Sequence, residues 1–229
     1  MTTSKKVSKQ KKVAVVLSGC GNKDGSEITE AVSLIIALAQ HRADVHFFAP
    51  NIEVSVKNFL TGETLTDKRN IMLESARITR SQIQDLNLLN AENFDALVFP
   101  GGFGAALHLC NWGEAEIKDK AKCKLLPAIE KNILDFYNQS KPIGAICIAP
   151  VLLARALGDK NITLTVGDDA TTIAEIEKTG AIHEICPVTD YITDREHKVI
   201  TTPAYMYDAD AHQVFTGISG LVKELIEMA

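Results

Sequence analysis

The stretch richest in chemistry runs Lys141-Pro142-Ile143-Gly144-Ala145-Ile146-Cys147-Ile148-Ala149-Pro150-Val151-Leu152-Leu153-Ala154. A short apolar, strand-like run leads to a single cysteine. An apolar, Ala-rich stretch follows and reads as helix. A side chain at a sharp strand-to-helix turn is pushed away from the backbone and faces the helix N-terminus. The helix dipole and free amides there favour negative charge, so the position of Cys147 favours a thiolate. Gly144, Ala145 and Ala149 are small enough for the chain to turn tightly. The alternative is that Cys147 is a small buried hydrophobe closing a strand, a common fate of cysteine.

Two other stretches suit such a nucleophile. Phe99-Pro100-Gly101-Gly102-Phe103-Gly104 follows the apolar run Ala96–Phe99. Its glycines let backbone N–H groups approach a ligand closely and act as oxyanion donors, or else they form a tight turn with no ligand. Glu30 sits early in a helical pattern whose stripe, Ile28, Ala31, Val32, Ile35, Ile36 and Ala39, is expected to face the core. Glu30 falls opposite that stripe. It reads as a solvated first-turn carboxylate, or as a carboxylate near the carboxyl ends of the strands, where open α/β sheets place their sites. The loop Ser18–Gly25 holds glycines but not the GxGxxG spacing of a dinucleotide cradle. Asp24 with Glu27 three residues on resembles a capping box.

These groups need a scaffold of alternating strands and helices. Val13–Leu17, Val45–Ala49 and Ala96–Phe99 are continuous apolar runs, as expected of parallel strands buried on both faces. Residues 51–81 are mixed, with a turn at Thr61-Gly62, a short helix from Ile71, and arginines expected to sit in surface ion pairs. Cys110–Cys123, with the only tryptophan, Trp112, reads as a surface excursion. Leu126–Tyr137 reads as helix. Ile162–Val166, Ala181–Ile185, Tyr191–Thr193 and Val199–Thr202 read as short strands. Asp168 or Asp169 is expected to cap a helix over 170–178 that ends at Gly180. The last helix is expected over 209–228, interrupted near Thr216-Gly217. The alternation implies a parallel, doubly wound sheet.

The 229 residues suffice for one α/β core, here assigned to residues 12–229, with residues 1–11 as a loose Lys-rich tail. The net charge of −5 argues against nucleic acid or an anionic membrane as the main partner. No run is long enough to span a bilayer and no secretory or transit pattern is apparent, so a cytoplasmic protein is expected. Five cysteines without a CxxC pair, and six histidines that do not cluster with them, point to no metal site and no disulfide framework.

Four stretches together carry a resemblance: Gly25-Ser26-Glu27-Ile28-Thr29-Glu30-Ala31-Val32, Phe99–Gly104, Ala145-Ile146-Cys147-Ile148-Ala149-Pro150, and Thr201-Thr202-Pro203-Ala204-Tyr205-Met206. The chain resembles the PfpI/ThiJ superfamily and, within it, the ElbB family (sigma cross-reacting protein 27A). Leu60-Thr61-Gly62-Glu63 and Arg69-Asn70 fall in the segment that sets that branch apart. The resemblance implies a flavodoxin-like three-layer sandwich, a mostly parallel sheet with helices on both faces, and a homodimer. It implies that Cys147 is the elbow nucleophile and that Glu30 hydrogen-bonds its sulfur. The amides of Gly102 and Ile148, with Gly101 beside them, would form an oxyanion and substrate-binding site.

Many superfamily members carry a histidine directly after the cysteine. Here that position is Ile148, and the segment Thr165–Asp169 also lacks one. His197 follows Glu196 in a charged turn and reads as surface. His108 and His183 have no evident route to Cys147. Amide hydrolysis and glutamine hydrolysis, which lean on a histidine base, lose support. The resemblance points instead to cofactor-independent glyoxalase chemistry on glyoxal or methylglyoxal, also seen as deglycase activity. Cys147 would form a hemithioacetal and Glu30 would move the proton between the two carbons. The other readings are a non-catalytic redox-sensing, regulatory or chaperone-like protein, and an amidotransferase-related role in isoprenoid biosynthesis.

Overall fold

The computed structural model describes residues 10–229, so the tail expected over residues 1–11 lies, up to residue 9, outside the described residues. In chain order the elements are β1 (Lys12–Val16), α1 (Ile28–Gln40), β2 (Asp44–Ala49), β3 (Glu53–Lys57), β4 (Thr64–Asn70), α2 (Ile71–Ile78), β5 (Gln84–Asp85), β6 (Ala96–Phe99) and α3 (Pro127–Asn138). Then come β7 (Ile143–Ile146), α4 (Pro150–Leu157), β8 (Thr163–Leu164), α5 (Ala170–Glu177), β9 (Ile182–His183), β10 (Ile192–Asp194), β11 (Val199–Thr202) and α6 (Ala211–Met228). The main sheet has seven strands in the order β10-β11-β7-β6-β1-β2-β5. Every pairing in it is parallel except β10 with β11.

The central strands β1, β6, β7 and β11 are almost wholly buried, which their unbroken apolar character dictates. Helix α6 packs on α1 and on β7 and β11, while α3 packs on β6 and β7 and α4 on β7. This is an α/β sandwich with a mostly parallel sheet. Chain order reverses between β1 and its neighbours β2 and β6, and the carboxyl ends of β1, β6, β7 and β11 lead into the loops that carry Ser18, Gly101, Cys147 and Pro203. Ligand crevices form at that edge of open α/β sheets.

Several elements differ from the sequence reading. Helix α1 buries Glu30, Ala31, Ser33, Leu34, Ala37 and Leu38 and leaves Ile28, Val32 and Ile36 exposed. Its cap is Glu27, whose carboxylate accepts the Glu30 N–H at 2.7 Å. Asp24 instead accepts the Lys57 N–H at 2.6 Å, tying the first loop to β3. Residues 53–70 form an antiparallel hairpin rather than an irregular segment. Helix α6 runs through Thr216-Gly217 without a break. A β-carbon at Gly217 would crowd Val188 O and lie 2.7 Å from Thr202 Oγ1, so the glycine marks close packing. The strand expected over 162–166 shortens to β8, which pairs with β9 outside the main sheet. The excursion from Cys110 to Cys123 is anchored inward by both cysteines and Trp112, all buried.

Candidate active site

Cys147 follows β7 directly and has φ of +61°, the left-handed region that β-carbon-bearing residues avoid. Its N–H donates to Thr202 O at 2.9 Å, which ties the turn to the end of β11. Ala149 N–H donates back to Ile146 O at 3.0 Å, and Pro150 opens α4. Strained backbone held by strand and helix on either side is the elbow geometry that pushes a side chain into a crevice. The residue is 8 % exposed.

The glycine loop closes over this turn. Gly101 O accepts the Glu27 N–H at 2.9 Å, and Gly104 N–H donates to Gly25 O at 3.0 Å. Gly102 has φ of +94°, and a β-carbon on it would collide with Gly25 O and Glu27 N. Only glycine fits both that conformation and that approach. The N–H groups of Gly102 and Ile148 are directed at the Cys147 sulfur and favour its ionised form.

Glu30 projects from the first turn of α1 into the protein beneath the elbow and is fully buried. Its Oε1 accepts the Tyr205 N–H at 3.2 Å. Its Oε2 has no partner in good hydrogen-bond geometry, and it converges with the Cys147 side chain over the α-carbon of Gly101. Burial first, and the neighbouring Glu27 second, push its carboxyl up to about 8, against the opposing pull of the Tyr205 amide. The Cys147 thiol is pushed well above its ordinary value by burial and by Glu30, and the two amides offset this only in part. The thiolate expected from the helix N-terminus is therefore not the resting state. Desolvation outweighs the dipole, and the pair rests as thiol and carboxylic acid at neutral pH.

Cys147 opens onto a pocket of about 540 Å³ lined by Asn22, Glu27, Gly102, Phe103, Ile148, Asp169, Thr172, Tyr205 and Met206. Glu27 and Tyr205 went unnoticed as pocket residues in the sequence, although both lie in the stretches that carry the resemblance. Asp169 caps α5 as expected, accepting the Thr172 N–H at 2.7 Å.

No histidine lines this pocket. His108 Nε2 lies 3.1 Å from Asp24 O. His183 Nε2 accepts the Val166 N–H at 3.1 Å. His197 pairs with Asp194 at 2.9 Å in the turn before β11, at the opposite end of that strand from Cys147. Amides of the Ser18–Gly25 loop are already engaged, Gly21 with Ser26 O, Gly25 with Gly21 O and Gly19 with Ser75 Oγ of α2, so it is not an open phosphate cradle. Cys20 lines a separate cavity of about 170 Å³ with Arg69 and Glu74. Among the described residues no cluster of His, Cys, Asp or Glu could hold a metal ion. No helix among them is long and apolar enough to cross a membrane.

No family model matches the chain. The chain is 39% identical over 228 residues to the rat ES1 protein homolog, mitochondrial, covering 95% of this chain and 84% of that protein. It is 38% identical over 228 residues to the human glutamine amidotransferase-like class 1 domain-containing protein 3, mitochondrial, covering 95% and 83%. The expectation of a cytoplasmic protein is corrected by these relatives, which are named as mitochondrial proteins. Among solved structures, an isoprenoid biosynthesis protein with amidotransferase-like domain from Ehrlichia chaffeensis superposes with a TM-score of 0.86 at 34% identity, covering 95% of this chain and 98% of that one. A ThiJ/PfpI domain protein from Brachyspira murdochii shares the fold, with a TM-score of 0.54 at 15% identity over 90% and 95% of the two chains.

Proposed function

Because the chain belongs to the ES1 (ElbB-like) family within the ThiJ/PfpI, class I glutamine amidotransferase-like superfamily, we propose that it acts on reactive aldehydes such as glyoxal and methylglyoxal. It would convert them without a cofactor to a hydroxy acid through a hemithioacetal on Cys147. The observation that carries this reading is a buried cysteine at φ +61° facing two backbone amides and a buried carboxyl, in a pocket with no histidine among the described residues.

The chemistry follows from what is present. An aldehyde is electrophilic enough for a thiol to add when its proton is taken up as the S–C bond forms. Ionised Glu30 would accept that proton. The carbonyl electrons move to oxygen, which the N–H groups of Gly102 and Ile148 would stabilise, with Gly101 shaping the loop. The adduct isomerises to a thioester, and water releases the hydroxy acid and frees the thiol. No amine leaves, so no histidine is needed to protonate one. Amide and glutamine hydrolysis, which need that step, fit this pocket poorly. A redox-sensing role draws less support, because a thiol with raised proton affinity holds little of the thiolate that oxidises.

The homodimer belongs to the same proposal. The exposed Ile28, Val32 and Ile36 of α1 offer an apolar face for it, which light scattering tests.

The deciding experiment is consumption of methylglyoxal by metal-free protein, with lactate identified as product. Cys147→Ala and Glu30→Gln are expected to abolish it. Full turnover by Cys147→Ala would overturn the reading.

A further inference from the structure

We infer that Glu27, not Glu30, carries the substrate's proton between its two carbons in the Cys147 pocket. This rests on the aldehyde reading above. Glu30 is fully buried and lies off the pocket wall, with Oε1 held by the Tyr205 N–H and Oε2 against the Cys147 side chain. It reaches the thiol, but the carbon bonded to that sulfur lies on the far side, in the pocket. Glu27 lines that pocket together with Cys147, Gly102 and Ile148. It is half-buried, and its Oε2 is anchored on the Glu30 N–H at 2.7 Å, so the carboxyl is fixed on the first turn of α1.

Among the described residues the only other carboxylate on the wall is Asp169. It caps α5 through Thr172, and those hydrogen bonds hold its proton affinity low, which makes it a weak base. Burial pushes the Glu27 carboxyl the other way, which makes it the stronger base of the two. No histidine lines the pocket to do this work.

The step balances without any oxidant. Glu27 takes the hydrogen from the thiol-bearing carbon as a proton, the C–H electrons form a C=C bond, and the neighbouring carbonyl oxygen, left as an enediolate, takes the proton of the adjacent hemithioacetal hydroxyl. The proton is then delivered to the second carbon while the first becomes the thioester carbonyl. Glu27 is restored, and hydrolysis completes the cycle.

The test is Glu27→Gln in the full chain with methylglyoxal. Glutamine keeps a carbonyl oxygen for the Glu30 N–H, so the start of α1 is retained. The expected result is a fall in kcat of about a hundredfold or more, with little change in KM. The rate at which iodoacetamide alkylates Cys147 should stay within about twofold of wild type, which a collapsed elbow would not allow. Glu27→Asp supplies the second variant: it caps well but draws the carboxylate back, so kcat should also fall. Wild-type kcat in either substitution overturns this inference alone. No turnover in the wild type overturns the aldehyde reading and this inference with it.

Discussion

The Glu30 carboxyl and the Cys147 side chain meet over the α-carbon of Gly101: a β-carbon placed there would collide with Glu30 Oε2 and Cys147 Cβ together. The absence of one methyl group is therefore what lets the acid and the thiol share a site.

Gly101→Ala tests that geometry. The added methyl also meets Ile146 O at 2.8 Å, so the end of β7 cannot yield to make room. The pair must separate, and aldehyde turnover is expected to fall at least as far as in Glu30→Gln. Overpacking should cost about 1–3 kcal/mol of stability, read by thermal unfolding. Gly62→Ala is the control. Its φ is +79°, but nothing lies within 4 Å of the added carbon, so it should cost about 1–2 kcal/mol and leave turnover intact. Unimpaired turnover by Gly101→Ala would show that the acid and thiol need not share this geometry.

Glu30 should also weaken the fold as pH rises. Its carboxyl keeps its proton up to about 8 in the native protein but only to about 4.5 when exposed. Below 4.5 both states are protonated and the group is neutral in the balance. Between the two values the unfolded chain releases a proton that the native state retains, so unfolding becomes progressively easier. At pH 7 the loss is on the order of 3 kcal/mol. Glu30→Gln should therefore match wild type in urea near pH 4.5 and exceed it increasingly towards pH 8. A wild type that is the more stable of the two at pH 7 would sink this account.

In the proposed reaction the same acid would set the pH dependence of turnover. Only ionised Glu30 can take the Cys147 proton, and the ionised fraction rises about tenfold per unit below its midpoint. With that midpoint at about 8, kcat/KM for methylglyoxal should climb from pH 6 and level off above 8. A profile that is flat or falls across that range would mean that Glu30 does not receive the thiol proton.

The elbow was legible because its signal is local: one cysteine between a β-branched run and an Ala-rich helix start. The glycine loop was legible for the same reason. Glu30 was not. The stripe drawn through Ile28, Val32 and Ile36 is the more hydrophobic one, yet tertiary packing buries the opposite face with Glu30 on it. A carboxyl in a core contradicts amphipathic patterning, and only the resemblance singled it out. The hairpin of β3 and β4 was missed because β3 alternates polar and apolar residues over only five positions, and its partner β4 is polar after Leu65 and largely exposed. The resting thiol was missed because desolvation depends on neighbours from α1 and the β6 loop, which adjacency in sequence does not reveal.

The pocket argues for a substrate larger than methylglyoxal. Its volume of about 540 Å³ falls in the range that holds drug-sized ligands. Besides the polar Asn22, Glu27, Asp169 and Thr172, the wall holds Phe103, Tyr205 and Met206, two aromatic rings and a thioether. Phe103 is 44 % exposed, so a ligand reaching it would cover apolar surface now in water. Burying a phenyl group gains roughly 1.5–3 kcal/mol, equivalent to about a ten- to a hundredfold effect on binding. Phenylglyoxal should therefore show a kcat/KM at least about tenfold above methylglyoxal, chiefly through KM, since the reacting carbons meet the same thiol and amides. Phe103→Ala should erase most of that advantage while leaving methylglyoxal turnover near wild type. Steady-state kinetics on both substrates decide it: equal kcat/KM would place the substrate's remaining atoms elsewhere, and equal loss on both in Phe103→Ala would make the ring a support for the Gly102 loop rather than a wall of the pocket.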